Sequence, residues 1–255
     1  IFPVTTLRPE TIFGVTNLWV NPNVTYKKVS VDNETWIVSE ECVKKIEFFE
    51  KEVKIIGDIE GSEIIGKYAT VLHNNQEIPI LEAEFVEPGM GTGLVMSVPA
   101  HAPKDYQALM DLKAKNHELA SKIEPIPIIV TPGYDAYPGK QICEKLGVSN
   151  QTDEKLEEAT KELYLKEFTD GKLNEKCEQF NNEKVQYGRD KVRAWLQENN
   201  HLEKFPVLEN SPVHCRCGAE CVVKILNNQW FLNYGDEEWK ETARNCFDEM
   251  NILPS

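Results

Sequence analysis

Hydroxyl groups crowd the start of the chain. Thr5, Thr6 and Thr11 bracket the Arg8 guanidinium within Thr5-Thr6-Leu7-Arg8-Pro9-Glu10-Thr11, and Pro9 fixes one turn there. Neutral hydroxyls donate and accept, which suits ester oxygens or ribose hydroxyls. With an extended backbone up to Pro9, Thr6 and Arg8 face one way and Thr5 and Leu7 the other. On pattern alone, plain strand threonines before a proline turn fit as well.

A second cluster runs Gly91-Thr92-Gly93-Leu94-Val95-Met96-Ser97-Val98-Pro99-Ala100-His101-Ala102-Pro103-Lys104-Asp105. A Gly-Thr-Gly turn leads into an apolar strand, a loop and a helix opened by Pro103. Asp105 falls in that helix's first turn, where the macrodipole favours a negative charge and should keep it ionised. An ionised carboxylate at the lip of an apolar strand can hold an ammonium, though helices favour acidic residues there anyway. The turn is not a phosphate loop, because it lacks the Gly-Lys-Ser/Thr ending and a strand follows it. His101 is a candidate base or hydrogen-bonding group.

The third cluster is His214-Cys215-Arg216-Cys217-Gly218-Ala219-Glu220-Cys221. Its spacing is one that zinc sites use, but a complete site needs a second ligand pair and the other cysteines are scattered singly. Half a metal site and a set of reduced thiols both remain open, and no bound metal is expected. The chain has no Gly-x-Ser-x-Gly elbow and no His-Glu-x-x-His.

The elements that must position these residues are mixed. Strands are expected at 18–20, 35–38, 68–72, 78–81 and 94–98, separated by Asn, Pro and Gly turns. A short helix starts at the Ser39 N-cap and runs to about Phe49, with Cys42, Ile46 and Phe49 on one face. Tyr106, Leu109 and Leu112 continue the Pro103 helix, and 123–133 reads as a Pro-punctuated strand. Helices are then expected from Pro138 to Gly147, over 151–168 with a stop at Gly171, and over 185–199. A strand over 221–232 and a helix over 236–250 lead out. The fold class is therefore α+β: a β-rich core over 1–135, a helical insertion over 136–210 and a return segment over 211–255.

Composition narrows the function classes. The 255 residues carry 28 Lys+Arg against 42 Asp+Glu, a formal charge of −14. That argues against a free-standing nucleic-acid binder and against an anionic membrane surface. No apolar run reaches membrane-spanning length. Seven cysteines in a chain of this size fit a reducing, cytoplasmic setting. The chain starts within an apparent strand and stops after a helix, which suggests a piece of a longer polypeptide.

Taken together and in order, these segments resemble the editing (connective-peptide) domain of leucyl-tRNA synthetases. Thr5-Thr6-Leu7-Arg8-Pro9-Glu10-Thr11-Ile12-Phe13-Gly14 is similar to that domain's threonine-rich segment. Gly91 through Asp105 is similar to its second signature, and Gln229-Trp230-Phe231-Leu232-Asn233-Tyr234-Gly235 to the return toward the synthetase body. The similarity spans the whole chain and is nearest the archaeal and eukaryotic cytosolic branch.

The resemblance implies a β-barrel-like core with peripheral helices, and hydrolysis of the ester of mischarged tRNA(Leu). Isoleucine, methionine and norvaline are the implied targets. A hydrophobic pocket gains only about 1–3 kcal/mol from one methylene, so a second sieve is needed. By position, Asp105 matches the carboxylate that grips the aminoacyl ammonium. Thr5 and Thr6 match hydroxyls near the ester and terminal ribose. Thr11 matches the residue whose methyl blocks leucine. Arg8 stiffens the threonine loop or meets the RNA end, Met96 and Val98 match the side-chain pocket, and His101 is placed at the substrate. No side chain is placed as a nucleophile, so a positioned water would attack.

Editing implies no cofactor; ATP and magnesium belong to the parent's aminoacylation site. The implied partners are the tRNA(Leu) 3′ end and the remainder of the synthetase chain, with no membrane. Leu7 replaces a threonine of the bacterial form, Ala102 an Asp and Met90 a Tyr. An isoleucyl or valyl editing domain is the nearest rival, but its Thr-Pro-Trp-Thr-like segment is absent; a zinc-binding interaction module is the non-enzymatic alternative.

Overall fold

Two compact units make up the structure, a computed structural model that describes residues 1–49, 51–208, 213–226 and 228–250. Ile1–Val223 is one unit and Lys224–Ser255 the other. In the first, a 3-10 turn at Pro9–Gly14 precedes β1 (Asn17–Val20), β2 (Thr25–Val31), β3 (Glu34–Val38), α1 (Glu40–Ile46), β4 (Val53–Glu60) and α2 (Gly61–Ile64). There follow β5 (Tyr68–Val71), β6 (Gln76–Glu82), β7 (Val95–Ser97), α3 (Pro103–Ala114), α4 (Glu118–Ser121) and β8 (Ile129–Val130). The stretch expected as an insertion, 136–210, holds α5 (Pro138–Leu146), α6 (Lys155–Asp170), β9 (Lys172–Leu173) and α7 (Val185–Glu198). The second unit holds α8 (Glu237–Asp248), whose Asp236 N-cap accepts from Trp239 N.

Strand β1 organises the site. It pairs in parallel with β6, Leu18 opposite Ile80, and antiparallel with β7, Leu18 opposite Met96 and Trp19 opposite Val95. All four of its residues are buried because both faces are covered. Leu18 and Val20 join Tyr26, Ile78, Ile80 and Leu94 in one apolar cluster. Trp19 packs on the other side with Leu81 and, from α3, Leu109 and Leu112. Side-chain alternation in β1 and β7 thus separates a Leu18–Met96 face from a Trp19–Val95 face.

The barrel-like core expected from the resemblance is not a closed barrel. The described strands form a four-stranded sheet ordered β5-β6-β1-β7, a three-stranded sheet ordered β3-β2-β4, and the β8–β9 pair. Strands β5 and β7 remain edges, so no ring of hydrogen bonds closes among the described residues. The α+β class itself holds.

Strands β2 and β4 lie outside the strands expected from the sequence. In β2, Tyr26, Val29 and Val31 are buried, and a register shift between Lys28 and Val29 breaks the period-2 pattern. In β4 most side chains are half-exposed or exposed, which erases the apolar signal. The strand expected over 221–232 is absent from its described residues, where Trp230, Phe231 and Leu232 are exposed and pair with no strand. Helix α6 begins four residues later than expected because Asn150 and Asp153 tie up the preceding backbone: Thr152 N donates to Asn150 Oδ1, and Ser149 N and Lys155 N donate to the Asp153 carboxylate.

Candidate functional site

The two signature segments meet where the threonine loop crosses the Gly-Thr-Gly turn. Gly91 has φ +58°, and a Cβ built there would overlap the Thr5 hydroxyl. Glycine is needed on both counts. Thr5 and Thr6 then line a cavity of about 570 Å³ together with Pro9, Ile12, Thr92 and Met96. Thr92 is 3% exposed, and its Oγ1 has no hydrogen-bond partner among the described residues. A buried hydroxyl left unpaired costs about 1–3 kcal/mol, so it stands ready for a ligand's polar group. Leu7 is 83% exposed.

Pro9 starts the 3-10 turn, and Arg8 braces it. The Arg8 carbonyl accepts from Thr11 N at 3.0 Å and from Thr11 Oγ1 at 2.7 Å. The Thr11 hydroxyl is thereby spent on the backbone; Thr11 is 2% exposed and does not line the cavity, although its neighbour Ile12 does. Arg8 N donates to Thr6 Oγ1 at 2.9 Å. The Arg8 guanidinium bonds Glu10 at 3.0 Å and Glu167 at 2.7 Å, and lies 4.3 Å over the Tyr164 ring. Burial alone would lower its affinity for a proton; the Glu167 and Glu10 carboxylates outweigh that and raise it. Of its two expected roles, the geometry favours bracing the loop over meeting RNA.

His101 does not line the cavity. It is fully buried, its Nε2 accepts from Ile128 N at 2.8 Å and Ile129 N at 3.2 Å, and its Nδ1 stands 2.6 Å from Glu167 Oε1. With Nε2 accepting, Nδ1 carries the hydrogen and donates to Glu167. Both ring nitrogens are occupied, so His101 ties the loop before α3 to β8 and α6. Val98 likewise leaves the cavity: its side chain packs against Gly14, where a Cβ would stand 3.1 Å from it, and its N–H is bonded inward.

Asp105, 4% exposed, accepts from Trp19 Nε1 at 3.1 Å and from Val98 N at 2.8 Å. Its carboxylate therefore lies on the Trp19 side of the β1–β7 pair and is not among the residues lining the cavity, although Met96, two residues before Val98, is. Burial pushes the Asp105 carboxyl up to about 7, and the two N–H donors limit the rise. The helix-dipole expectation located the group correctly but left out desolvation.

Among the described residues, no three His, Cys, Asp or Glu side chains converge as a metal site. The Cys215–Cys221 segment forms a tight turn in which Gly218 N donates to Cys215 O.

The sequence model of the leucyl-tRNA synthetase editing domain matches residues 1–126, which contain both signature segments. The leucine–tRNA ligase of Methanocaldococcus jannaschii is 43% identical over 100% of this chain, and that of Methanothrix thermoacetophila 45% identical over 100%. This chain belongs to the leucyl-tRNA synthetase editing-domain family. It spans about 28% of the length of the M. jannaschii ligase. The GlLeuRS-CP1 crystal structure superposes with TM-score 0.71 at 28% identity, covering 82% of this chain and 84% of that one. The P. falciparum cytosolic leucyl-tRNA synthetase editing domain shares the fold, with TM-score 0.71 at 22% identity over 78% of this chain and 76% of that one.

Within this editing domain, sequence reasoning missed Glu167, Tyr164 and the Trp19 indole. One signal was available for Glu167. The buried positions of α6 are Leu156, Ala159, Leu163 and Glu167, so a carboxylate continues an apolar stripe at helical spacing.

Proposed function

We propose that this domain hydrolyses the ester of mischarged tRNA(Leu), removing isoleucine, methionine or norvaline while sparing leucyl-tRNA. The observation that carries this reading is the convergence of Thr5, Thr6, Thr92 and Met96 on one cavity, with Thr5 seated on Gly91. Apolar walls at Ile12, Leu18 and Met96 suit an aliphatic side chain, and hydroxyls at the rim suit an ester and a ribose. The Thr11 methyl, one residue from the lining Ile12, is the steric element that turns leucine away.

Hydrolysis proceeds by direct attack of a water on the acyl carbonyl, breaking the bond to the ribose oxygen, which leaves protonated. The mapped bonds of Thr6 and Thr11 go to the Arg8 backbone and not to a base, so neither hydroxyl is activated as a nucleophile. Orientation and electrostatic stabilisation supply the rate. Asp105, in the first turn of α3 and outside the cavity lining, anchors the aminoacyl ammonium once its carboxylate turns from Trp19 and Val98 toward the incoming cation. The tRNA(Leu) 3′ end and the rest of the synthetase chain are the partners, and ATP with magnesium serves only the parent's charging reaction.

Two variants of the intact ligase test this. Asp105→Ala should cut deacylation of isoleucyl-tRNA(Leu) by about 100-fold or more while charging continues. Thr11→Ala should make leucyl-tRNA(Leu) a substrate. An Asp105→Ala enzyme that still clears mischarged tRNA at the wild-type rate refutes the anchor.

A further inference from the structure

We propose that the insertion helix α6 is a working part of the editing site, with Glu167 and Tyr164 as positioning residues that hold Arg8 and, through its carbonyl, Thr11. This deepens the proofreading reading and rests on it.

Glu167 is 0% exposed and divides its two oxygens between the signature segments. Oε2 accepts from Arg8 Nη2 at 2.7 Å, and Oε1 from His101 Nδ1 at 2.6 Å. His101 passes no flexibility on, because its other nitrogen is clamped by two backbone N–H groups. On the far side of Arg8, Tyr164 stacks one turn before Glu167 on the same helix. Burial pushes the Tyr164 hydroxyl up to about 12, and the Arg8 cation beside it opposes the rise. One turn of α6 therefore braces the threonine loop and, through His101, the loop before α3.

A merely stabilising helix would not carry this arrangement. Glu167 extends the stripe of Leu156, Ala159 and Leu163, where an apolar side chain would pack well. Replacing buried ion pairs by apolar residues is commonly neutral or stabilising, and their best-attested use is to fix a register. Here the register fixed is that of Arg8, whose carbonyl takes both the N–H and the hydroxyl of Thr11. Rotation of Arg8 would free the Thr11 side chain and shift the 3-10 turn whose Pro9 and Ile12 form part of the cavity wall. Helix α6 lies outside the 1–126 segment that carries the family signatures. Its N-terminal neighbour α5 is seated on the same loop, since Gly139 N donates to Ala100 O at 2.8 Å and a Cβ at Gly139 would stand 2.7 Å from Pro99 O.

The test uses the intact ligase and reads charging, melting temperature, deacylation of isoleucyl-tRNA(Leu) and deacylation of leucyl-tRNA(Leu). Glu167→Gln should leave charging intact, slow isoleucyl deacylation about tenfold or more, and raise leucyl deacylation relative to it. Glu167→Asp, which keeps the charge and shortens the reach, should fall between. Combining Glu167→Gln with Arg8→Lys should be no worse than the weaker single variant, since both break one link. The proposal is overturned if Glu167→Gln and Glu167→Asp edit and spare leucine like wild type, or if their loss of editing only tracks loss of folded protein with leucine still excluded. A wild-type ligase that charges but never deacylates isoleucyl-tRNA(Leu) sinks the proofreading reading itself, an outcome separable from the others because it appears before any substitution.

Discussion

Asp105 is held in a setting that opposes its own charge. A group at the first turn of a helix would ordinarily be ionised at neutral pH, yet burial takes its carboxyl up to about 7 in spite of the Val98 and Trp19 N–H donors. The folded state then binds a proton more tightly than the unfolded chain, whose carboxyl titrates near its ordinary 3.8. The contribution of this group to stability is fully present below about pH 4 and is lost as pH rises through about 7, a change of order 2–4 kcal/mol at most. Asp105→Asn should flatten that part of the stability profile, so the melting temperature of the variant should fall less between pH 5 and pH 8 than that of the wild type. Parallel profiles would show that the carboxyl is not strained. A carboxylate disfavoured in the empty protein gains most when a cation arrives, which is the property an ammonium anchor needs.

At the scale of elements, the site depends on how a loop, a strand pair and a helix are fastened. Gly91 is the fastening between the threonine loop and the Gly-Thr-Gly turn, through its φ of +58° and the seat it leaves for Thr5. Gly91→Ala should cost about 1–3 kcal/mol of stability from the backbone conformation alone. It should also displace Thr5, lowering deacylation more than the stability loss accounts for; a thermal melt beside a deacylation assay separates the two effects. Much of this was legible in the sequence. Ser39 as N-cap of α1, Pro103 opening α3 and Gly147 closing α5 with φ +63° each follow from local chemistry that tertiary packing did not override. What escaped depends on distant partners. The bulge in β2 hides its alternation, and the role of Glu167 exists only because α6 folds back 159 positions in sequence onto Arg8. His101 could not be placed either, since its partners at Ile128 and Ile129 are backbone groups that carry no residue signature.

Across the whole molecule, charge and apolar surface tell one story. A formal charge of −14 gives the chain little to offer a polyphosphate backbone, and it spans about 28% of the M. jannaschii ligase. On the proposed reading, the rest of the synthetase grips the tRNA body and this domain takes only the terminal aminoacyl-adenosine. All seven cysteines are free thiols, and among the described residues no helix is long and apolar enough to cross a membrane. The first unit, with its apolar clusters on both faces of β1, carries every residue of the proposed chemistry. The insertion belongs to that unit and reaches its interior through Glu167, so it is not a peripheral decoration.

The central claim is that the threonine-rimmed cavity receives the acyl end of a mischarged tRNA. A crystal structure with a non-hydrolysable 2′-aminoacyl adenosine carrying norvaline tests it most directly. The account predicts the norvalyl chain beside Met96 and Ile12, the acyl linkage at Thr5, Thr6 and Thr92, and the ammonium drawing the Asp105 carboxylate toward it. An analogue bound elsewhere in the cavity, away from Thr5, Thr6 and Thr92, or nowhere on this unit, with Asp105 still bonded to Trp19 and Val98, would contradict it.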